Sequence, residues 1–167
     1  YGPNIPRMMG VNGKEVEVIG NKAKPLNAYG VDIMSMGILM KEGEAVIWRG
    51  AMIMKAIQQL LRDILWEELD ILFIDMPPGT GDIHLTLMQT VPVTGVVIVT
   101  TPQNVALADA RKGIAMFGQA QINVPIIGLV ENMAYFTPAE LPNNRYYIFG
   151  QDGGKQLAEK YDVQIGR

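Results

Sequence analysis

The chain reads as an α/β protein: a doubly wound, mostly parallel sheet with helices on both faces. Three observations predict this. Three short runs, Ile71–Asp75 (ILFID), Gly95–Thr101 (GVVIVTT) and Pro125–Glu131 (PIIGLVE), are continuously apolar rather than alternating, the pattern of parallel strands covered on both sides. Helical periodicity separates and follows them. The resulting order, strand, helix, strand, helix, strand, is that of a doubly wound parallel sheet.

Val11–Ile19 predicts a short hairpin turning at Asn12-Gly13, and Tyr29–Met36 a weaker strand. Across Ala51–Trp66, the residues Ile53, Ile57, Leu60 and Ile64 fall on one helical face. Ala106, Ala110, Ile114 and Phe117 do the same across Asn104–Gln121, with Asn104 as the expected N-cap after Pro102. A shorter helix is expected over Gly153–Tyr161. In parallel α/β sheets, ligands sit beyond the carboxyl ends of the strands. That rule nominates Asp75–Asp82, Thr100–Asn104 and Glu131–Met133.

Bulk properties narrow the function. With 167 residues, 49% of them hydrophobic, the chain suits one domain with a substantial core. A net charge of −3 gives no electrostatic footprint for nucleic acid or an anionic membrane. No apolar run approaches the roughly 18 residues of a membrane span. There is no cysteine, which excludes disulfides and any thiolate metal site built from these residues, and fits a cytoplasmic setting.

The densest chemistry lies in DMPPGTGDIHLTLMQ, residues 75–89. A carboxylate at the end of an apolar strand is how nucleotide hydrolases hold magnesium, often through a water molecule. Asp75 is therefore the candidate magnesium-water ligand. Gly79 is the candidate sensor of a terminal phosphate, because only a residue without a side chain lets backbone N–H groups come close to it. Pro77-Pro78 fixes the way into the turn, and Gly79 and Gly81 leave it free to change conformation. The plainer alternative is a strand followed by a Pro/Gly turn, with Asp82 as a helix N-cap and His84 on the surface or behind the site. A hydrolase built on Asp75, Asp82 and His84 lacks a nucleophile. Asn132 offers a donor and an acceptor together, which suits an adenine edge; a strand-end turn is its structural alternative.

Several stretches resemble the Mrp/ApbC family of deviant-Walker-A P-loop ATPases, relatives of the cell-division ATPase MinD. They are YGPNIPRMMG, EAVIWRGAM, DMPPGTGDIHLTLMQ, VIVTTPQNVALADARKGIAMF, GLVENMAYF and YIFGQDGG, in family order over nearly the whole chain. The resemblance implies an ATP-binding homodimer that carries iron–sulfur clusters or helps assemble them, serving apo-proteins or assembly factors. It implies Asp75 as the Walker B aspartate, Gly79, Thr80 and Gly81 as switch II, and Tyr1-Gly2-Pro3-Asn4 as the tail of switch I. It also implies Pro102 and Gln103 as the loop lining the base, Asn132 as an adenine contact, and ATP with Mg²⁺ as cofactors.

Two departures accompany it. The family's Gly-Lys-Gly-Gly-x-Gly-Lys-Ser/Thr phosphate loop is absent from these residues. The chain is thus expected to be part of a single nucleotide-binding domain, with a first strand, P-loop and first helix before Tyr1 and a truncated C-terminus. Where family members carry Cys-x-x-Cys after Glu-Asn-Met, this chain has Thr137, Pro138 and Ala139, none of them a soft ligand. An iron–sulfur cluster held in the usual manner is therefore in question. The aromatics Tyr135, Phe136, Tyr146, Tyr147 and Phe149 either form a partner surface or pack the loop onto the core. Two other functions stay open: a MinD-like switch that positions a partner without carrying clusters, and a nucleotide-free interaction module if the chain is complete.

Overall fold

The computed structural model describes residues 4–39, 50–77 and 79–166. Tyr1-Gly2-Pro3 of the switch I stretch, residues 44–49 of EAVIWRGAM, and Pro78 lie outside the described residues. The chain gathers into two compact units: Tyr1–Pro78 with Asp82–Thr86, and Gly79–Gly81 with Leu87–Arg167.

The second unit carries the parallel sheet. Its strands β5 (Val96–Thr100), β6 (Ile126–Glu131) and β7 (Ile165–Gly166) lie in that order, with both pairings parallel. Helix α5 (Asn104–Phe117) connects β5 to β6, and α6 (Gly153–Tyr161) connects β6 to β7. Both helices pack on the sheet and on each other. Their apolar faces meet alternate strand residues in one core of Ile98, Leu107, Ala110, Ile114, Met116, Phe117, Leu129 and Leu157. Each such side chain contributes about 1.5–3 kcal/mol when fully buried. Alternation along β5 is plain: Ile98 and Thr100 are buried, while Val99 is 63% exposed. Cover on both faces was expected, yet Val97, Val99 and Ile127 are exposed. α5 ends at Phe117, with Gly118 as its C-cap, rather than at Gln121, and Gln103, not Asn104, is its N-cap residue. The strand β7 has no counterpart in the sequence pattern, because two residues are too few to show periodicity.

The first unit is built from local pieces. Helix α1 (Ile5–Met8) is followed by hairpins β1 (Val18–Ile19) with β2 (Lys22–Ala23) and β3 (Leu26–Ala28) with β4 (Val31–Ile33). Asn12-Gly13 does turn, with the Lys14 N–H donating to the Val11 carbonyl at 3.2 Å, but no strands flank it. The Val11 N–H is committed to the Pro6 carbonyl at 2.8 Å, so it cannot serve a ladder. The expected strand from Tyr29 instead starts at Val31. Tyr29 and Gly30 form the hairpin turn, both at positive φ (54° and 76°), as a type I′ turn requires. Helix α2 (Met36–Leu39) and helix α3 (Gly50–Arg62) follow. Ile64 lies beyond α3 and bridges to Ala23 in extended form. The Trp66 indole N–H donates to the Leu60 carbonyl at 3.0 Å, satisfying one of the acceptors left open at the end of α3.

The largest difference from expectation is at residues 71–75. No strand forms there; Ile71 is 68% and Phe73 is 85% exposed. An extended segment becomes a strand only when a neighbour completes its ladder, and none does so among the described residues.

Candidate functional site

The site residues divide between the two units. In the second, parallel pairing sets Thr100 opposite Glu131, so the residues after each strand emerge side by side at the carboxyl edge. The Asn132 N–H donates to the Thr100 carbonyl at 2.7 Å, extending the ladder one residue past β6. Asn132 thereby sits at the end of β5, from which Thr101, Pro102 and Gln103 continue. Pro102 is buried, while Gln103 and Asn132 are exposed. The Thr101 hydroxyl lies 3.3 Å from Gln103 Oε1 and donates to it. Asn132 Oδ1 accepts the Met133 N–H at 2.9 Å, and Met133 takes a left-handed conformation (φ 54°). Asn132 does make a strand-end turn. Its Nδ2 has no hydrogen-bond partner among the described residues, which leaves a donor for a ligand.

Three residues not singled out for a role by sequence reasoning hold this edge together. Glu131, 2% exposed, accepts a hydrogen bond from the Gly154 N–H in the first turn of α6. A Cβ on Gly154 would come 2.6 Å from Glu131 Oε2, and one on Gly153 would come 2.6 Å from the Pro102 carbonyl oxygen. The signal was present in YIFGQDGG: two adjacent glycines opening a helix mark a close approach of backbone.

The loop after Asn132 folds back on itself through reciprocal backbone bonds of 2.9 Å between Phe136 and Tyr146. Tyr135 and Tyr147 meet edge to face at 6.5 Å, and the Arg145 guanidinium sits 4.4 Å from the Tyr135 ring centre. Met133, Tyr135, Phe136, Tyr146, Ile148 and Phe149 line an apolar groove of about 220 Å³. These aromatics pack on one another and stay partly exposed, rather than filling the core.

Asp75 belongs to the first unit and has an exposed side chain. Gly79, Thr80 and Gly81 group with the second unit. Gly79 sits at φ +103°, a conformation that only glycine adopts easily, and among the described residues nothing lies within 4 Å of where a Cβ would be. Helix α4 (Asp82–Thr90) follows, with Gly81 as its N-cap residue; Asp82, the expected cap, is its first residue. His84 is not on the surface: it is 4% exposed, and its Nδ1 is buried without a partner among the described residues. Among the described residues no three His, Cys, Asp or Glu side chains converge as a metal site, and no helix is long and apolar enough to cross a membrane.

A parallel sheet with crossover helices, and polar residues at its carboxyl edge, is the architecture of doubly wound α/β proteins, which bind ligands at that edge. The chain belongs to the ParA family described as NUBPL iron-transfer P-loop NTPase, whose profile matches residues 1–166. It is 50% identical over 167 residues to an iron–sulfur cluster carrier protein of Helicobacter pylori, covering 99% of this chain and 45% of that one. It is 46% identical over 165 residues to the iron–sulfur cluster transfer protein NUBPL of Mus musculus, covering 99% and 51%. A nucleotide-binding protein from Archaeoglobus fulgidus, solved in complex with ADP, superposes with a TM-score of 0.77 at 36% identity over 98% of this chain and 63% of that one. The chain spans about half the length of the curated relatives it matches.

Proposed function

We propose that this protein binds and hydrolyses ATP in iron–sulfur cluster assembly or delivery, with the nucleotide switching the shape of a homodimer. The observation that supports this reading is the carboxyl edge of β5 and β6, where the Asn132 N–H bonds the Thr100 carbonyl just before Pro102 and Gln103 in the chain. A family whose relatives include cluster carriers supplies the cargo. Asn132 Nδ2 and the 102–103 backbone would hold the base. Asp75, exposed and acidic, would hold a water of a magnesium ion. Gly79, with Thr80 and Gly81, would sense the terminal phosphate, since its backbone is open to a close ligand. Bound MgATP would supply a phosphoanhydride whose cleavage drives the switch. The cluster is cargo for apo-proteins or assembly factors rather than a resident cofactor, and the absence of cysteine fits a cytoplasmic setting.

Magnesium-dependent ATP turnover tests the reading. Asp75→Asn should lower it about 10–100-fold, the usual effect of losing a group that acts on a metal through a second shell, with the fold intact by circular dichroism. Unchanged turnover would remove Asp75 from the site. The absence of cysteine favours a second reading, a MinD-like switch that positions a partner without carrying clusters. Anaerobic reconstitution with iron and sulfide separates the two: a visible-light chromophore supports carriage, and a colourless protein supports the switch.

A further inference from the structure

We propose that Glu131 is a positioning residue for base recognition: with Gly153-Gly154 it sets where Asn132 and the 102–103 loop stand, and so confers preference for adenine. This rests on the nucleotide reading above. Three backbone segments meet at one point. Glu131 sits one residue before Asn132, so any movement of its peptide moves the Asn132 amide directly. Its carboxylate, buried, accepts the Gly154 N–H in the first turn of the nine-residue helix α6, where the helix dipole favours negative charge. Gly153 lies against the Pro102 carbonyl, closely enough that a methyl group would come 2.6 Å from it. Gly150 approaches Pro102 as well, with 3.7 Å from its Cβ position to both Pro102 Cβ and the Pro102 carbonyl oxygen. The start of α6 thus lies against both base-lining segments at once: Gly154 bonds the Glu131 carboxylate beside Asn132, and Gly153 packs on the Pro102 carbonyl. Donors displaced by even 1 Å no longer match the edge of a base, which is why bracing of this kind governs selectivity more than chemistry.

The test is binding of MgATP and MgGTP to the full-length protein by calorimetry, alongside steady-state hydrolysis of both. The wild type should prefer ATP. Glu131→Ala should weaken ATP about tenfold and leave GTP nearly unchanged, raising KM while kcat holds. Glu131→Gln keeps an oxygen that can accept the Gly154 N–H and should restore most of the preference. If Glu131→Ala does not fold, Gly154→Ala takes its place, since its methyl group would displace the Glu131 carboxylate; the same loss of ATP preference is expected. Equal weakening of both nucleotides, or no weakening of ATP, would overturn the proposal and leave Glu131 a structural cap. A wild type that binds ATP and GTP alike would overturn it too. A wild type that binds neither nucleotide would instead sink the base site itself, and this inference with it.

Discussion

Two apolar runs of similar length, Ile71–Asp75 and Val96–Thr100, both lead into motifs of the proposed site, and they meet different fates. Val96–Thr100 pairs along its whole length with β6 and buries Ile98 under α5. Ile71–Asp75 forms no ladder among the described residues and leaves Phe73 85% exposed. The difference is partly one of composition, since every residue of VVIVT is β-branched and only Ile71 and Ile74 are in ILFID. The larger part is pairing. Backbone hydrogen bonds and burial are supplied by neighbours, so an apolar run states a capacity to be a strand and not the outcome. For the same reason Asn132 is tied to β5 by a ladder bond to Thr100, while Asp75 closes a run that has no ladder among the described residues.

Mutations can press on that comparison. The largest expected effect is on stability: Leu129→Ala, at the centre of the sheet core and 1% exposed, should cost about 2–5 kcal/mol in chemical denaturation. Phe73→Ala, though it removes a larger side chain, should stay within about 0.5 kcal/mol. Similar costs at the two positions would show that Phe73 is buried in solution and would erase the contrast. A smaller effect is expected where α6 meets Pro102: Gly153→Ala must make room for a methyl group against a carbonyl oxygen and Leu107, at about 1–3 kcal/mol. A thermal midpoint equal to that of wild type would mean the contact is looser than the structure has it. The smallest effect runs the other way. Asp162 ends α6 in a left-handed conformation (φ 52°, ψ 48°) where glycine is at ease. Asp162→Gly should therefore stabilise by about 0.5 kcal/mol, and a clear loss would mean its side chain contributes something beyond the turn.

What was legible in the sequence follows the same physics. β5, β6 and α6 stand close to their expected bounds because their apolar patterns match partners that lie nearby in the chain. The Val11–Ile19 hairpin was misplaced because the signal Asn-Gly turns correctly while the Val11 N–H is taken by Pro6. β7 was invisible for want of length. Of the candidate site, Asn132, Pro102 and Gln103 could be nominated from motif order and from the rule for strand ends, because both depend on strand positions that the apolar pattern shows. The burial of Glu131 was not legible: its place at the end of an apolar strand gives no sign of the close packing of Gly154 against its carboxylate. The burial of His84 was likewise unreadable from its place in the first turn of a helix.

The most direct test of the account is calorimetric titration of MgATP into the wild type and Asn132→Ala. The account predicts that the wild type binds ATP and that the variant binds it about tenfold more weakly, the cost of losing a hydrogen bond to a base edge that is then left unpaired. Equal affinity in both proteins would contradict it, and would take the base away from the carboxyl edge of β5 and β6.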